Sequence, residues 1–119
     1  MNFCWTTLHV SNMEQSLNFY HNLLGLPISS RHDNPHGQVV MLGEGDTKLE
    51  LLCVNGEKEV VVNNYVSVGF TVESLDKTRD YLVENGIEII RGPVSPNPHL
   101  QFMFIKDPDG CEVQLVENL

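Results

Sequence analysis

The sequence predicts an α+β fold built from two tandem βαβββ modules, and three observations lead there. The first is an internal repeat. Placing Val10 on Val72, an offset of 62, sets Asn12 on Ser74, Met13 on Leu75, Ser16 on Thr78 and Phe19 on Tyr81. Self-similarity at a fixed period marks a duplicated supersecondary unit. The second is that the segments closing each half also match, with Glu50 in KLELL and Gln114 in EVQLV standing 64 apart. The third is the alternation of apolar and polar residues in the segments around each helical stripe, the period of half-buried strands.

At 119 residues the chain is expected to form one domain over 1–119, with repeat one at about 1–55 and repeat two at about 64–119. That length supports a real core without staples. Strand one is read over Phe3–Val10. Asn12 with Gln15, or Ser11 with Glu14, offers a capping box for the first helix. Met13, Leu17, Tyr20 and Leu24 recur at helical spacing as its buried stripe. Gly25 suits a left-handed cap, and Pro27 stops the helix from resuming. Three short strands follow, Ile28–His32, Gln38–Leu42 and Lys48–Val54, parted by Asp33-Asn34-Pro35 and Gly43-Glu44-Gly45-Asp46. Asn55–Asn64 is the connector.

The second half repeats this order. Strand five is Tyr65–Val72, Ser74 caps the second helix, and Asn85-Gly86 ends it. Ile87–Arg91 reads as a short strand. Gly92–Pro98, with prolines at 93, 96 and 98, reads as a stiff loop unable to pair well. His99–Lys106 and Cys111–Glu117 form a hairpin around Asp107-Pro108-Asp109-Gly110.

Composition excludes several functions. A net charge of −9 argues against nucleic acid, whose binders need a basic surface, and is compatible with a cationic ligand. No apolar run approaches the roughly 18 residues of a membrane span, and the N-terminus does not read as a signal peptide. Cys4, Cys53 and Cys111 are too few and too scattered for a disulfide framework or a zinc pattern, so a cytoplasmic protein with reduced thiols is expected. All three fall on the apolar side of their strands, where thiols pack inertly.

Alternation assigns side chains to faces. Trp5, Thr7 and His9 oppose Thr6, Leu8 and Val10. Glu50 opposes Leu49 and Leu51. Ser67, Gly69 and Thr71 oppose Val66, Val68 and Phe70. Gln114 opposes Val113 and Leu115. Each apolar face should pack under a helix, and the four mixed faces suffice to line one cavity, between repeats or between subunits. Phe102 and Phe104 alternate with Gln101, Met103 and Ile105. Both sets are mostly apolar, so alternation leaves open which faces inward. His32 and His36 stand at i, i+4, but Pro35 precludes a helix there and a loop is expected. His99, after Pro98, is placed at the cavity mouth.

VSNMEQSLNFYHNLLGL after strand one, the KLELL strand and FIKDPDGCEVQLVE at the end resemble the vicinal oxygen chelate superfamily. That superfamily takes in glyoxalase I, the extradiol dioxygenases, the fosfomycin-resistance transferases and the bleomycin-resistance binding proteins. The resemblance spans essentially the whole chain, and the DPDG hairpin with its alternating strand is its most specific part. It implies paired βαβββ modules, each a curled mixed sheet around a cavity, and a homodimer. In metal-dependent members a histidine stands five residues before the valine ending strand one, which here is Trp5. The other metal positions fall on Glu50, Ser67 and Gln114. Only Glu50 is a good ligand, since indole nitrogen is a donor and serine hydroxyl and glutamine amide ligate weakly. No metal and no other cofactor is therefore expected.

The residues expected to bind ligand are Trp5, Thr7, His9, Glu50, Ser67, Phe102, Phe104 and Gln114. Trp5 would stack a flat or cationic group; its ordinary alternative is a core aromatic. His9 matches an arginine that in glyoxalase I holds an anionic part of the substrate, and would be a pH-dependent substitute. Glu50 would be a counter-ion, or the catalytic base if there is one; its ordinary alternative is a polar residue on an exposed sheet face. Resemblance to the fosfomycin-resistance members turns Phe104 toward the site. The preferred function is metal-independent binding of a small organic molecule, aromatic or cationic, with no nucleic acid and no membrane partner. The alternative is an enzyme, a glyoxalase I-like lyase or dioxygenase with a non-standard site. A cavity filled by the protein's own side chains is a third reading.

Overall fold

In a computed structural model that describes residues 1–57, 59–63 and 65–119, the chain forms two compact units, Met1–Val61 and Val62–Leu119. Unit one runs β1 (Trp5–His9), α1 (Met13–Leu17), a π-helical turn (Asn18–Leu23), β2 (Ile28–Asn34), β3 (Gly37–Leu42) and β4 (Lys48–Val54). Unit two runs β5 (Ser67–Thr71), α2 (Leu75–Glu84), β6 (Arg91–Asn97), β7 (Leu100–Lys106) and β8 (Glu112–Asn118). Each unit is one open mixed sheet, ordered β1-β4-β3-β2 and β5-β8-β7-β6. The first strand of each unit lies parallel to the last, and the other neighbours are antiparallel. This is the βαβββ unit twice, as the repeat predicts. Among the described residues, no helix is long and apolar enough to cross a membrane.

Local chemistry explains the helix starts. Asn12 Oδ1 accepts from the Gln15 backbone N–H at 3.0 Å, and Ser74 Oγ accepts from that of Lys77 at 3.2 Å. Each satisfies a donor that the first helical turn leaves open. The periodic stripe is buried at Met13, Leu17 and Tyr20, but Leu24 is only half-buried. The wider turn after Leu17 rotates the chain, so that Phe19 joins Tyr20 in the core, their rings edge to face at 4.9 Å. A uniform 3.6-residue period does not anticipate that.

The cores follow strand alternation. In unit one Val40, Leu42, Leu49 and Leu51 are buried, and α1 packs against β4. In unit two Met103, Ile105, Val113 and Leu115 are buried, and α2 packs against β7 and β8. Burial of the Met103 and Ile105 side leaves Phe102 and Phe104 on the opposite face.

Some boundaries differ from expectation. Strand one begins at Trp5, not Phe3, because its partner β4 begins at Lys48. Strand five begins at Ser67, not Tyr65, because its partner β8 begins at Glu112. The segment read as a stiff loop is β6, and the strand expected at Ile87–Arg91 is not one. Its prolines are tolerated because β6 is an edge strand that touches β7 only at Arg91–Phe104, Val94–Phe102 and Asn97–Leu100, with irregularities between. Gly92, at φ 93°, lets the two backbones meet, since a Cβ there would stand 2.7 Å from the Phe102 carbonyl oxygen.

His32 lies on β2 rather than in a loop, while His36 is in the turn, where Asn34 Oδ1 accepts from its N–H at 2.8 Å. Cys4 does not pack inertly: it precedes the first paired residue and is exposed, whereas Cys53 is half-buried and Cys111 buried. Burial above all pushes the Cys111 thiol up to about 11. Of the connector expected at Asn55–Asn64, Lys58 and Asn64 lie outside the described residues.

Candidate functional site

In unit one the sheet face away from the core carries the residues singled out by alternation. Parallel pairing of β1 with β4 sets Trp5 beside Lys48, Thr7 beside Glu50 and His9 beside Leu52. On the other side of β4, Met41 stands beside Glu50. The indole of Trp5 is 49% exposed, far too open for a core aromatic. Thr7 Oγ1 donates to Glu50 Oε1 at 2.8 Å, which fixes the carboxylate on the face. A neutral donor leaves the negative charge in place. The cation next along β4, Lys48, gives its ammonium to the Gly45 carbonyl instead. Among the described residues, no cationic side chain pairs with Glu50.

His9 is brought against a residue that strand reading does not place. Its Nδ1 lies 3.2 Å from Glu57 Oε1, carried by the segment after the Asn55-Gly56 turn. Glu57 had no sequence signal, since nothing in a connector predicts where its side chains return.

In unit two, Gly69 and Phe104 flank Gln114, and Ser67 stands beside Glu112. A Cβ on Gly69 would lie 3.6 Å from Gln114 Oε1, ordinary contact distance, which places that amide over the Gly69 backbone. Phe102 meets Phe104 edge to face at 5.7 Å. Strand alternation does not assign one further neighbour, Arg91 of β6. Its Cζ sits 4.2 Å from the Phe104 ring centroid. Its Nη1 and Nη2 donate to Glu112 Oε1 and Oε2, each at 3.0 Å. Those bonds hold the Glu112 carboxyl below the usual carboxylate range. The available signal was an arginine at the end of an apolar segment; only the β6–β7 register turns it into a neighbour of Phe104.

The face residues thus form two groups, Trp5, Thr7, His9 and Glu50 in unit one and Ser67, Phe102, Phe104 and Gln114 in unit two. Among the described residues, no three His, Cys, Asp or Glu side chains gather closely enough to hold a metal ion.

Two mixed βαβββ sheets, each with an apolar side under a helix and a polar-aromatic side turned away, define the architecture of the glyoxalase fold. The chain belongs to the Glyoxalase/Bleomycin resistance protein/Dioxygenase superfamily, whose family model matches residues 3–115. It is 29% identical over 127 residues to the lactoylglutathione lyase of Neisseria meningitidis serogroup A, covering 99% of this chain and 91% of that one. The trypanothione-dependent glyoxalase I of Leishmania major shares the fold at a TM-score of 0.86 and 22% identity, over 98% of this chain and 86% of that one. TnmS3, an antibiotic binding protein from Streptomyces sp. CB03234, shares it at a TM-score of 0.79 and 20% identity, over 100% and 97%.

Proposed function

We propose that this chain binds a small organic cation with an apolar ring, without a metal, on the face of unit one. The observation that carries this reading is the state of Glu50. Its carboxylate stands on an open sheet face beside an exposed indole, held by the Thr7 hydroxyl and paired with no cation among the described residues. A ligand ammonium would supply the missing charge, and its ring would lie on Trp5. Charge pairing and cation–π stacking together contribute a few kcal/mol in a partly desolvated site, on the order of a hundredfold in affinity. Thr7 serves by orienting Glu50. His9, already engaged by Glu57, borders the face.

The donor chemistry supports metal independence. By the family resemblance, Trp5, Glu50, Ser67 and Gln114 match the metal-ligand positions of metal-dependent members, and one good ligand among four is too few for a transition-metal site. Likeness to an antibiotic binding protein agrees with a binding role. We further read the protein as a cytoplasmic homodimer, since its thiols are free and each sheet leaves two edge strands. Sedimentation showing only monomer at micromolar concentration would count against the dimer.

The second reading is a lyase, and it rests on the likeness to lactoylglutathione lyases. Glu50 would then be the base. Both readings meet one experiment. 2-Naphthylmethylammonium is titrated by isothermal titration calorimetry in every variant, and the emission of the single tryptophan is followed in the unsubstituted protein. The emission should change, and affinity should fall about tenfold on Glu50→Gln and further on Trp5→Ala. Elemental analysis should find no stoichiometric transition metal, and a lactoylglutathione lyase assay should stay at background with zinc or nickel added. Lyase activity lost on Glu50→Ala would establish the rival. Binding indifferent to both substitutions would remove the site assignment.

A further inference from the structure

The face of unit two carries a cluster that the Glu50 reading does not use. Arg91, Phe104, Glu112 and Phe102 form one assembly, built by the irregular edge strand β6 laying Arg91 beside Phe104. Glu112 is only 13% exposed at its side chain, while Arg91 is 50% exposed. The carboxylate is therefore committed and the guanidinium is not. Two of the five N–H donors of Arg91 go to Glu112, and the others have no partner among the described residues. Phe104 supports the cation from one side and Phe102 buttresses Phe104.

Such an arginine is already ordered, so a ligand would not have to immobilise it. Its plane stacks on conjugated rings, and its remaining N–H groups suit a carboxylate or another planar acceptor. A lysine would offer a point charge without the plane or the fork. The matching row of unit one makes the contrast plain. There Ser30, Met41, Glu50 and Thr7 stand side by side, where unit two has Arg91, Phe104, Gln114 and Gly69. The row in unit one carries an anion and that in unit two a cation.

We infer that Arg91 on its Phe104 support is a recognition site for a planar aromatic anion, such as an aromatic carboxylate. The carboxylate takes the free N–H groups in the plane of the guanidinium, its ring extends from there across the face, and Glu112 holds the arginine in place while opposing the added negative charge. The site belongs to unit two alone and does not depend on the Glu50 reading.

The test uses the full chain, labelled with nitrogen-15, and two probes that share a ring, 2-naphthoate and 2-naphthylmethylammonium. Naphthoate should shift the Arg91 Nε resonance saturably. Arg91→Lys should weaken naphthoate at least about fivefold, as expected where a stacked, forked cation becomes a point charge. Glu112→Gln keeps one amide oxygen to accept from Arg91 and hold it against Phe104 while removing the competing charge, and should tighten naphthoate about threefold. Arg79→Lys, on the exposed side of α2, is the matched control. Thermal melts establish that each variant is folded, and the opposite signs at 91 and 112 separate recognition from damage. Naphthoate that does not saturate below about 10 mM, or binds equally to the Arg91→Lys and Arg79→Lys proteins, or weakens on Glu112→Gln, overturns the proposal. Failure of the Glu50 reading registers separately, as ammonium-probe binding that ignores Glu50→Gln.

Discussion

The two units share strand order, pairing and core, yet differ wherever a side chain leaves the core. Leu51 and Leu115, matched by the repeat, are both buried on the strand that lies next to the first. The matched helical residues Ser16 and Thr78 behave differently. Thr78 Oγ1 donates to the Ser74 carbonyl at 2.7 Å. Ser16 is fully buried, and its hydroxyl has no partner among the described residues. The helix starts differ too. Glu117 Oε2 accepts from the Leu75 backbone N–H at 2.9 Å and from Gln101 Nε2 at 2.7 Å, so β8 clamps the first turn of α2. The matched residue in unit one is Cys53, whose thiol lies 3.8 Å from the Ser11 carbonyl. A duplicated scaffold keeps its apolar side because packing tolerates little change. Its polar positions and its free face are left to diverge.

The equivalence of the two units can be tested at the core, at the helix clamps and at the matched hydroxyls. The largest effect is expected in the shared core. Leu51→Ala and Leu115→Ala should each cost about 2–5 kcal/mol, the usual toll of a cavity at a fully packed site. Urea denaturation followed by circular dichroism measures both. A loss under about 1 kcal/mol at one of them would mean that the two cores are not equivalent.

The next effect is at the helix clamps. Hydrogen bonds from Leu75 first and Gln101 second lower the pKa of Glu117. A carboxyl depressed in the folded state stabilises above its unfolded pKa of about 4.3, and that contribution is lost as pH falls through the folded value. Glu117→Gln should therefore lower the melting temperature at pH 7 and make the acid side of the profile shallower. A parallel downward shift at every pH would show that the carboxylate's charge is immaterial. Cys53→Ser, its counterpart, should leave the steepness of that profile alone.

The smallest effect is at the matched hydroxyls, and the signs should differ. Thr78→Val should cost about 0.5–1.5 kcal/mol, as a made hydrogen bond is removed. Ser16→Ala should be neutral or stabilising by up to about 1 kcal/mol, because it deletes a buried group that has nothing to bond. Destabilisation by Ser16→Ala of the same size as that from Thr78→Val would reveal a partner for Ser16 and erase the asymmetry.

The free faces are read in the same way by the naphthyl probes. A cationic preference at Glu50 and an anionic one at Arg91 would make the two faces chemical opposites on one scaffold.

The sequence alone determined the architecture, because its determinants are local. Alternation in strands, side-chain caps at Asn12 and Ser74, and turn residues at Asp107–Gly110 act within a few positions, and the repeat states each twice. Alternation also separated Trp5, Thr7 and His9 from Leu8 and Val10, since one strand suffices to define its two sides. Tertiary structure decided the rest. Phe102 and Phe104 alternate with residues just as apolar, so only the packing of α2 on β7 says which pair is free. The proline-rich stretch from Gly92 to Asn97 is a strand because an edge with one neighbour needs few backbone donors. Arg91 and Glu112 stand 21 residues apart and meet through strand register, as His9 and Glu57 meet across 48. Such contacts depend on where two distant segments are laid side by side, and no local pattern encodes that distance.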